Sequence, residues 1–519
     1  MQSFLTICLI GCYLAFPAFC MPQARSHEQK IYNSLDEYSI SQHLAFYLLY
    51  PSSNLSKECL QYVKELIRKP NAKLITDKAP IEISALSQAG VELLATILEP
   101  QKFKIVPLFS EEDWVAIESL AKHLAHHKLK GHYALTEEEI LKLPDYEVDL
   151  ARAILITQLP DNQDKVAYIH YYEALLDIMA LQVQAYAKGS ENIQDILKAL
   201  NHLIFKDLQF RFPPYSLSTS QIEQYTVLPT VLDSHRGVCL GVSTLYICLA
   251  QRLNIPLEIV TPPGHIYIRY RGEGQLTNIE TTARGIHIPT ENYMDVNTYR
   301  LTSHSIKSVI GMVFYNQASQ AIHNKEFGNA IHWYEKALNY LDSHSMRLKE
   351  LLGYSYVFNN QEEEGKRLLK ESIVEKEGDS IHDSHSPQDY LEGHVNEQGL
   401  LILLEPIGED RTKQLLQKEK LKDLLKIYPK FKDGWLELGS LCASLGGGKE
   451  AIEALIQYHH LDSSNPSVEY YLAELYFIRY DYKNAWFHLK IAEQLTSAKN
   501  YYPNDLKQLR LALLLKSSG

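Results

Sequence analysis

Cysteine is scarce and poorly placed for metal or disulfide chemistry. The 519-residue chain holds 7 cysteines, and Cys8, Cys12 and Cys20 crowd its first apolar segment. Cys59, Cys239, Cys248 and Cys442 are far apart, with no CxxC pair. That spacing speaks against a zinc ribbon or a dense disulfide framework and leaves Cys239 available as a free thiol. Basic blocks are missing too, and the net charge is −12. The chain therefore lacks the electrostatic footprint of a nucleic-acid binder. Neither GxGxxG nor a Walker loop occurs, so nucleotide binding has no support and no cofactor is expected. Long apolar runs are rare. The run from Phe4 to Phe19 is shorter than the ~20 residues of a spanning helix and suits a secretory signal. Its start carries no Lys or Arg, and Ala18-Phe19-Cys20 offers either a cleavage site or a lipid-attachment cysteine. Residues 1–26 are thus expected to direct export, to a periplasmic, envelope-associated or secreted location. An uncleaved anchor or a buried N-terminal helix is the alternative, and no other membrane segment is expected.

What is present is ordinary globular composition, 45% hydrophobic and 22% charged, with 34 tyrosines. The tyrosines supply amphipathic packing surfaces, some of them suited to partners. The length suits about three domains. Residues 27–146 read as helical: "SKECLQYVKELIRK" has apolar residues at three- and four-residue spacing, "DWVAIESLAKHLAHHKLKG" reads as one helix ending at Gly131, and Thr136 with Glu139 forms a capping box. Three further helices follow between 147 and 209. After 253, "LEIVTPP", "HIYIRY" and "QLTNIETT" alternate as strands do.

From about 311 the chain repeats. Gly439 to Ala473 and Ala451 to Ala485 are both 34 residues, the tetratricopeptide (TPR) period with small residues at its close-packing positions. Ala318, Ala330, Tyr334 and Ala337 stand in the same phase, and Gly353 with Gly365 marks a weaker copy. Residues 375–394, rich in Ser, Asp and His, read as a polar loop or flexible link. The expected organisation is a helical region at 27–146, an α/β core with its preceding helices at 147–305, repeats at 306–374, a linker with helices at 375–430, and repeats at 431–515. The fold class is α+β.

The chemistry concentrates on "RGVCLGVSTLYICLAQRL". Cys239 opens an apolar helix, where unpaired N–H groups and the helix dipole favour a thiolate. Gly237 and Gly241 are expected to leave room for a substrate carbonyl. Cys248, half a turn away, reads as core; Arg236 and His235 are assigned no chemistry. In "PPGHIYIRY", His265, Tyr267 and Arg269 share one strand face. If Gly272 and Glu273 form a two-residue turn, His265 lies directly opposite Glu280, with Asn278 as the fallback acid-side partner. A packed strand tyrosine and a cleft-lining one are equal readings of Tyr267. Cysteine, histidine and acid in that order resemble the transglutaminase-like core of the papain-like group. More narrowly, the chain resembles bacterial transglutaminase-like proteins with helices before the core and TPR repeats after it. The resemblance covers roughly 147–300 and is carried mainly by Arg236–Arg252 and Pro263-Gly264-His265. It implies a Cys239–His265–Glu280 triad, although family members usually show Asp-Pro where this chain has Glu280-Thr281.

Two functions follow. One is a cysteine peptidase, amidase or protein acyltransferase acting on an amide, with the repeats recruiting a protein or peptide partner. The other is a catalytically degenerate scaffold for protein–protein interaction. In "HLAHHKLKGH", His123 and His127 fall on one helical face as a conceivable metal pair. With no third ligand in the pattern, a solvated basic face is the reading preferred there, and likewise for His382 and His385, so no metal is expected.

Overall fold

The computed structural model describes residues 21–68, 111–214, 222–272, 274–341, 345–374, 380–406, 408 and 410–517. The apolar run Phe4–Phe19 and Cys20 lie outside the described residues. The described residues form two compact units, the smaller from 21–68, 111–121 and 181–199, the larger from the remainder. In the smaller unit Ser39 caps the helix Ile40–Leu49, and the Gln182 side chain accepts from the Ile40 N–H and donates to the Tyr38 carbonyl. No described helix is long and apolar enough to cross a membrane.

In the larger unit the helices start where their caps dictate. The Asp149 carboxylate accepts from the backbone N–H groups of Ala151 and Arg152 and opens the helix Leu150–Gln158. Thr136 accepts from the Glu139 N–H, while the Glu139 carboxylate reaches back to the N–H of Leu135 at 2.7 Å. The box expected there forms, with its return bond one residue earlier than the ideal pattern. The helix Lys165–Tyr186 is buried at every position from Tyr171 to Ala180, as suits a helix surrounded by core.

The single helix expected from Asp113 to Gly131 does not form. The helix Glu111–Ala121 ends, and two 3-10 turns follow, Ala125–Lys128 and Lys130–Tyr133. Gly131 explains part of this: a Cβ there would lie 2.5 Å from the Asp149 nitrogen and 2.8 Å from the Glu147 oxygen. The segment is drawn against the start of the Leu150 helix, and the extended Leu124 and Leu129 break the helical path. His123 and His127 therefore share no helix face, and the region is no solvated basic surface, since His126 is fully buried and His132 nearly so.

Four antiparallel strands, β1 (Glu258–Thr261), β2 (Tyr267–Gly272), β3 (Gln275–Ile279) and β4 (Thr302–His304), lie in the order β3-β2-β1-β4. The β2–β3 register differs from the expected one. Gly272 pairs with Gln275 and Arg269 with Asn278. Gly274 has φ +75°, which glycine adopts at little cost. The slip is two residues, which preserves the facing of every side chain; a slip of one would have reversed it.

C-terminal to the sheet come paired antiparallel helices: Ile306–His323 with Phe327–Leu338, Met346–Phe358 with Glu362–Val374, Lys432–Ser444 with Gly448–Leu461, and Pro466–Ile478 with Tyr482–Ser497. The last two pairs start 34 residues apart. Their small residues sit at the crossings. Ala318, Ala330, Ala451, Ala473 and Ala485 are fully buried, and a Cβ on Gly365 would lie 2.8 Å from the Gly353 carbonyl oxygen. One pair cannot cover its own apolar face, so stacking of pairs is required.

The polar stretch read as a flexible link is anchored where it is described. Ser386–Leu391 is a short helix, Asp389 is fully buried and ion-paired to Lys432, and Asp433 accepts from Ser384, His385 and Ser386. The polar residues that suggest a loop instead cap and bridge the neighbouring helices.

Candidate active site

Cys239 is the first residue of the helix Cys239–Arg252, and its capping residue Val238 supplies no side-chain bond. The amides of that first turn have no partner within the helix. Gly241 is what lets the helix dock. A Cβ there would stand 2.1 Å from the Tyr225 carbonyl oxygen, and one on Gly237 would stand 2.6 Å from Val242 Cγ2. Both glycines thus accommodate the protein's own backbone and valines, and the room expected for a substrate carbonyl is filled by these groups. Among the described cysteines, Cys59, Cys248 and Cys442 are buried and Cys239 is partly exposed. Cys248 is core, as expected, and burial pushes its thiol up.

His265 stands two residues before β2. Pro262, Pro263, Gly264 and His265 make a turn closed by the bond from the His265 N–H to the Pro262 carbonyl, with Gly264 at φ +68°. Pro then Gly at the two central positions is the type II pattern. The His265 Nε2 lies 2.7 Å from Glu280 Oε2, and its ring is close enough to Cys239 to interact with it electrostatically.

Glu280 is 3% exposed and held from several directions. Its Oε1 accepts from the Thr282 N–H and hydroxyl, and its Oε2 accepts from the Tyr293 hydroxyl at 2.7 Å as well as from His265. Burial alone would raise Glu280, but the bonds from His265, Thr282 and Tyr293 bring it down to about 2. Burial would likewise depress His265, yet its bonds to Cys239 and Glu280 and their charges lift it to about 9. These bonds favour the protonated ring. A hydrogen bond between Ser243 and Thr281 ties the cysteine helix to the turn that follows the acid. Asn201 does the same further along, accepting from Tyr246 and donating to the Gly285 carbonyl.

The structure brings Cys239, His265 and Glu280 together and leaves Asn278 out. Asn278 is fully buried and occupied by Arg269, the Ile288 carbonyl and Thr290. Tyr267 is fully buried and stacks on Tyr293 with centroids 4.1 Å apart, which makes it support for the site and not a wall of a cleft. Tyr293 itself was missed by the sequence reading. It closes a short 3-10 turn, Thr290–Tyr293, that has no periodic pattern, and only the fold places it beside Glu280.

Residues 170–349 match the family model described as the Transglutaminase-like superfamily. No curated protein matches the chain. Solved structures similar to it include MamA, 18% identical, covering 36% of this chain and 98% of that one, with a TM-score of 0.19. Another is YrrB, described as a TPR protein with an unusual peptide-binding site, 16% identical, covering 40% and 92%, with a TM-score of 0.19. Cys239, His265 and Glu280 all fall inside the matched residues, and the stretch 170–349 is a transglutaminase-like domain.

Proposed function

We propose that the domain is a cysteine hydrolase or acyltransferase for an amide or peptide substrate, with the paired helices recruiting the protein that carries it. The observation that carries this reading is the 2.7 Å bond of His265 to the buried Glu280, with Cys239 beside that histidine at the open end of its helix. The protonated imidazole and the open end of the helix both stabilise negative charge on the attacking sulfur. The thiolate adds to the carbonyl carbon, and the unpaired amides of the first helical turn face the developing oxyanion. As the carbon–nitrogen bond breaks, the His265 proton goes to the departing amine and a thioester to Cys239 remains. Water or a second amine then attacks the thioester, giving its proton to His265 and freeing the cysteine. Water completes a hydrolysis and an amine completes an acyl transfer. Glu280 holds the ring orientation and balances its charge. The apolar N-terminal run adds export to this proposal; cell fractionation that finds the full chain in the cytoplasm would remove it.

The test is covalent labelling of the full chain with iodoacetamide near pH 6, read by intact mass and peptide mapping. Cys239 is expected to label well ahead of Cys442, and His265→Ala to abolish the advantage. Equal labelling of the two cysteines, or an unchanged rate in His265→Ala, rejects the enzyme reading and leaves the scaffold. Partners retained by Cys239→Ser would then be expected to depend on residues 311–510.

A further inference from the structure

Away from Cys239, three histidines meet inside the larger unit. His126, His127 and His132 each present a ring nitrogen, and these atoms lie within 4.8 Å of one another. The ring centroids are 4.2, 4.8 and 4.5 Å apart. His126 is fully buried, and neither of its nitrogens has a hydrogen-bond partner; nor does Nε2 of half-buried His127. Buried nitrogens without a partner are costly unless something binds them. The surroundings supply what such a ligand needs. Nδ1 of His132 is bonded to Asp149 Oδ2 at 3.1 Å, leaving Nε2 free. His126 Nε2 lies 3.3 Å from Asp177 Oδ1, without the alignment of a hydrogen bond. A carboxylate behind an imidazole fixes the ring and strengthens its other nitrogen as a metal ligand. Charge points the same way: among the described residues, buried Asp149, Glu173 and Asp177 are met by two buried guanidiniums, Arg152 on Glu173 and Arg252 on Asp177.

We infer that His126, His127 and His132 bind a divalent transition-metal ion of the zinc class through three imidazole nitrogens. Imidazole sets of this kind suit zinc, and three protein ligands leave one tetrahedral position for water. The other histidine clusters are of a different kind. His382 and His385 each spend Nε2 on Asp462, and His459 and His488 each spend Nδ1 on Glu469, at 2.6–2.7 Å. There the ring nitrogens facing the carboxylate are hydrogen-bonding to it and are not open.

The full chain, purified from zinc-supplemented culture and desalted, is expected to carry about one zinc per chain by elemental mass spectrometry. The apo protein titrated with cobalt(II) alone is expected to show the strong visible bands of a tetrahedral site. His127→Gln, at the half-buried position, should weaken cobalt binding by about tenfold or more, while a His385→Gln/His459→Gln variant should bind as the wild type does. X-ray absorption of the wild-type zinc form gives a reading independent of any variant, and a shell of histidine nitrogens is expected. The inference is overturned by a wild type without stoichiometric metal, by a sulfur-containing or histidine-free shell, or by a folded His127→Gln that binds cobalt undiminished.

Discussion

Glu280 is the residue on which the proposed chemistry turns. Family members usually place Asp-Pro there, and this chain has the longer Glu280 followed by Thr281. The structure shows how the extra methylene is used. The carboxylate, anchored by Thr282 and Tyr293, reaches His265 from a diagonal position, because the strand register is two residues away from direct opposition. Glu280→Asp should therefore shorten the reach and slow Cys239 labelling at pH 6 by about tenfold or more, with the melting temperature little changed. A labelling rate equal to wild type would show that the carboxylate does not act on the ring. At this scale the sequence was informative for three residues. Cys239, His265 and Glu280 stand out by type, order and the turns that flank them. Tyr293 and Thr282 did not, since a hydroxyl in a short 3-10 turn carries no sign of what it will touch.

At the scale of elements, the cysteine helix docks through its glycines. The obstacle to a side chain at Gly241 is a backbone carbonyl, that of Tyr225, whereas at Gly237 it is the movable Val242 side chain. Gly241→Ala is expected to cost about 1–3 kcal/mol, and Gly237→Ala less, as read by denaturant unfolding. The reverse order would mean that the helix end is not packed as described. Helices with strong caps, such as those opened by Asp149 and Thr136, were readable because capping is local chemistry. The break after Ala121 was not readable: the apolar spacing through 131 fits one helix, and it is the extended Leu124 and Leu129, with Gly131 drawn close to Asp149, that break the path. The hairpin register failed for a related reason, because two nearby glycines, Gly272 and Gly274, both suit a turn.

For the whole molecule, the His265–Glu280 pair links stability to pH. His265 is raised to about 9, so its contribution is complete below the ordinary histidine value of about 6.5 and fades as pH rises through 9. Glu280 is lowered to about 2, so its contribution is complete above the ordinary value of about 4.3 and fades as pH falls towards 2. The melting difference between wild type and Glu280→Gln should be largest between those two ordinary values and narrow on either side; a difference that is flat with pH would contradict the pairing. The repeat half was legible at this scale from the 34-residue spacing alone, because small residues at fixed intervals are what close helix crossings demand. By itself, then, the sequence determined the class of fold, the paired helices and the ordered cysteine, histidine and acid, all properties written in local pattern and chain order. Tertiary structure alone decided the strand register, the tyrosine behind the acid, the anchoring of the polar stretch at 380–394 and the meeting of His126, His127 and His132. Each of these depends on which distant backbone comes close, and that is set by packing rather than by neighbours in the chain.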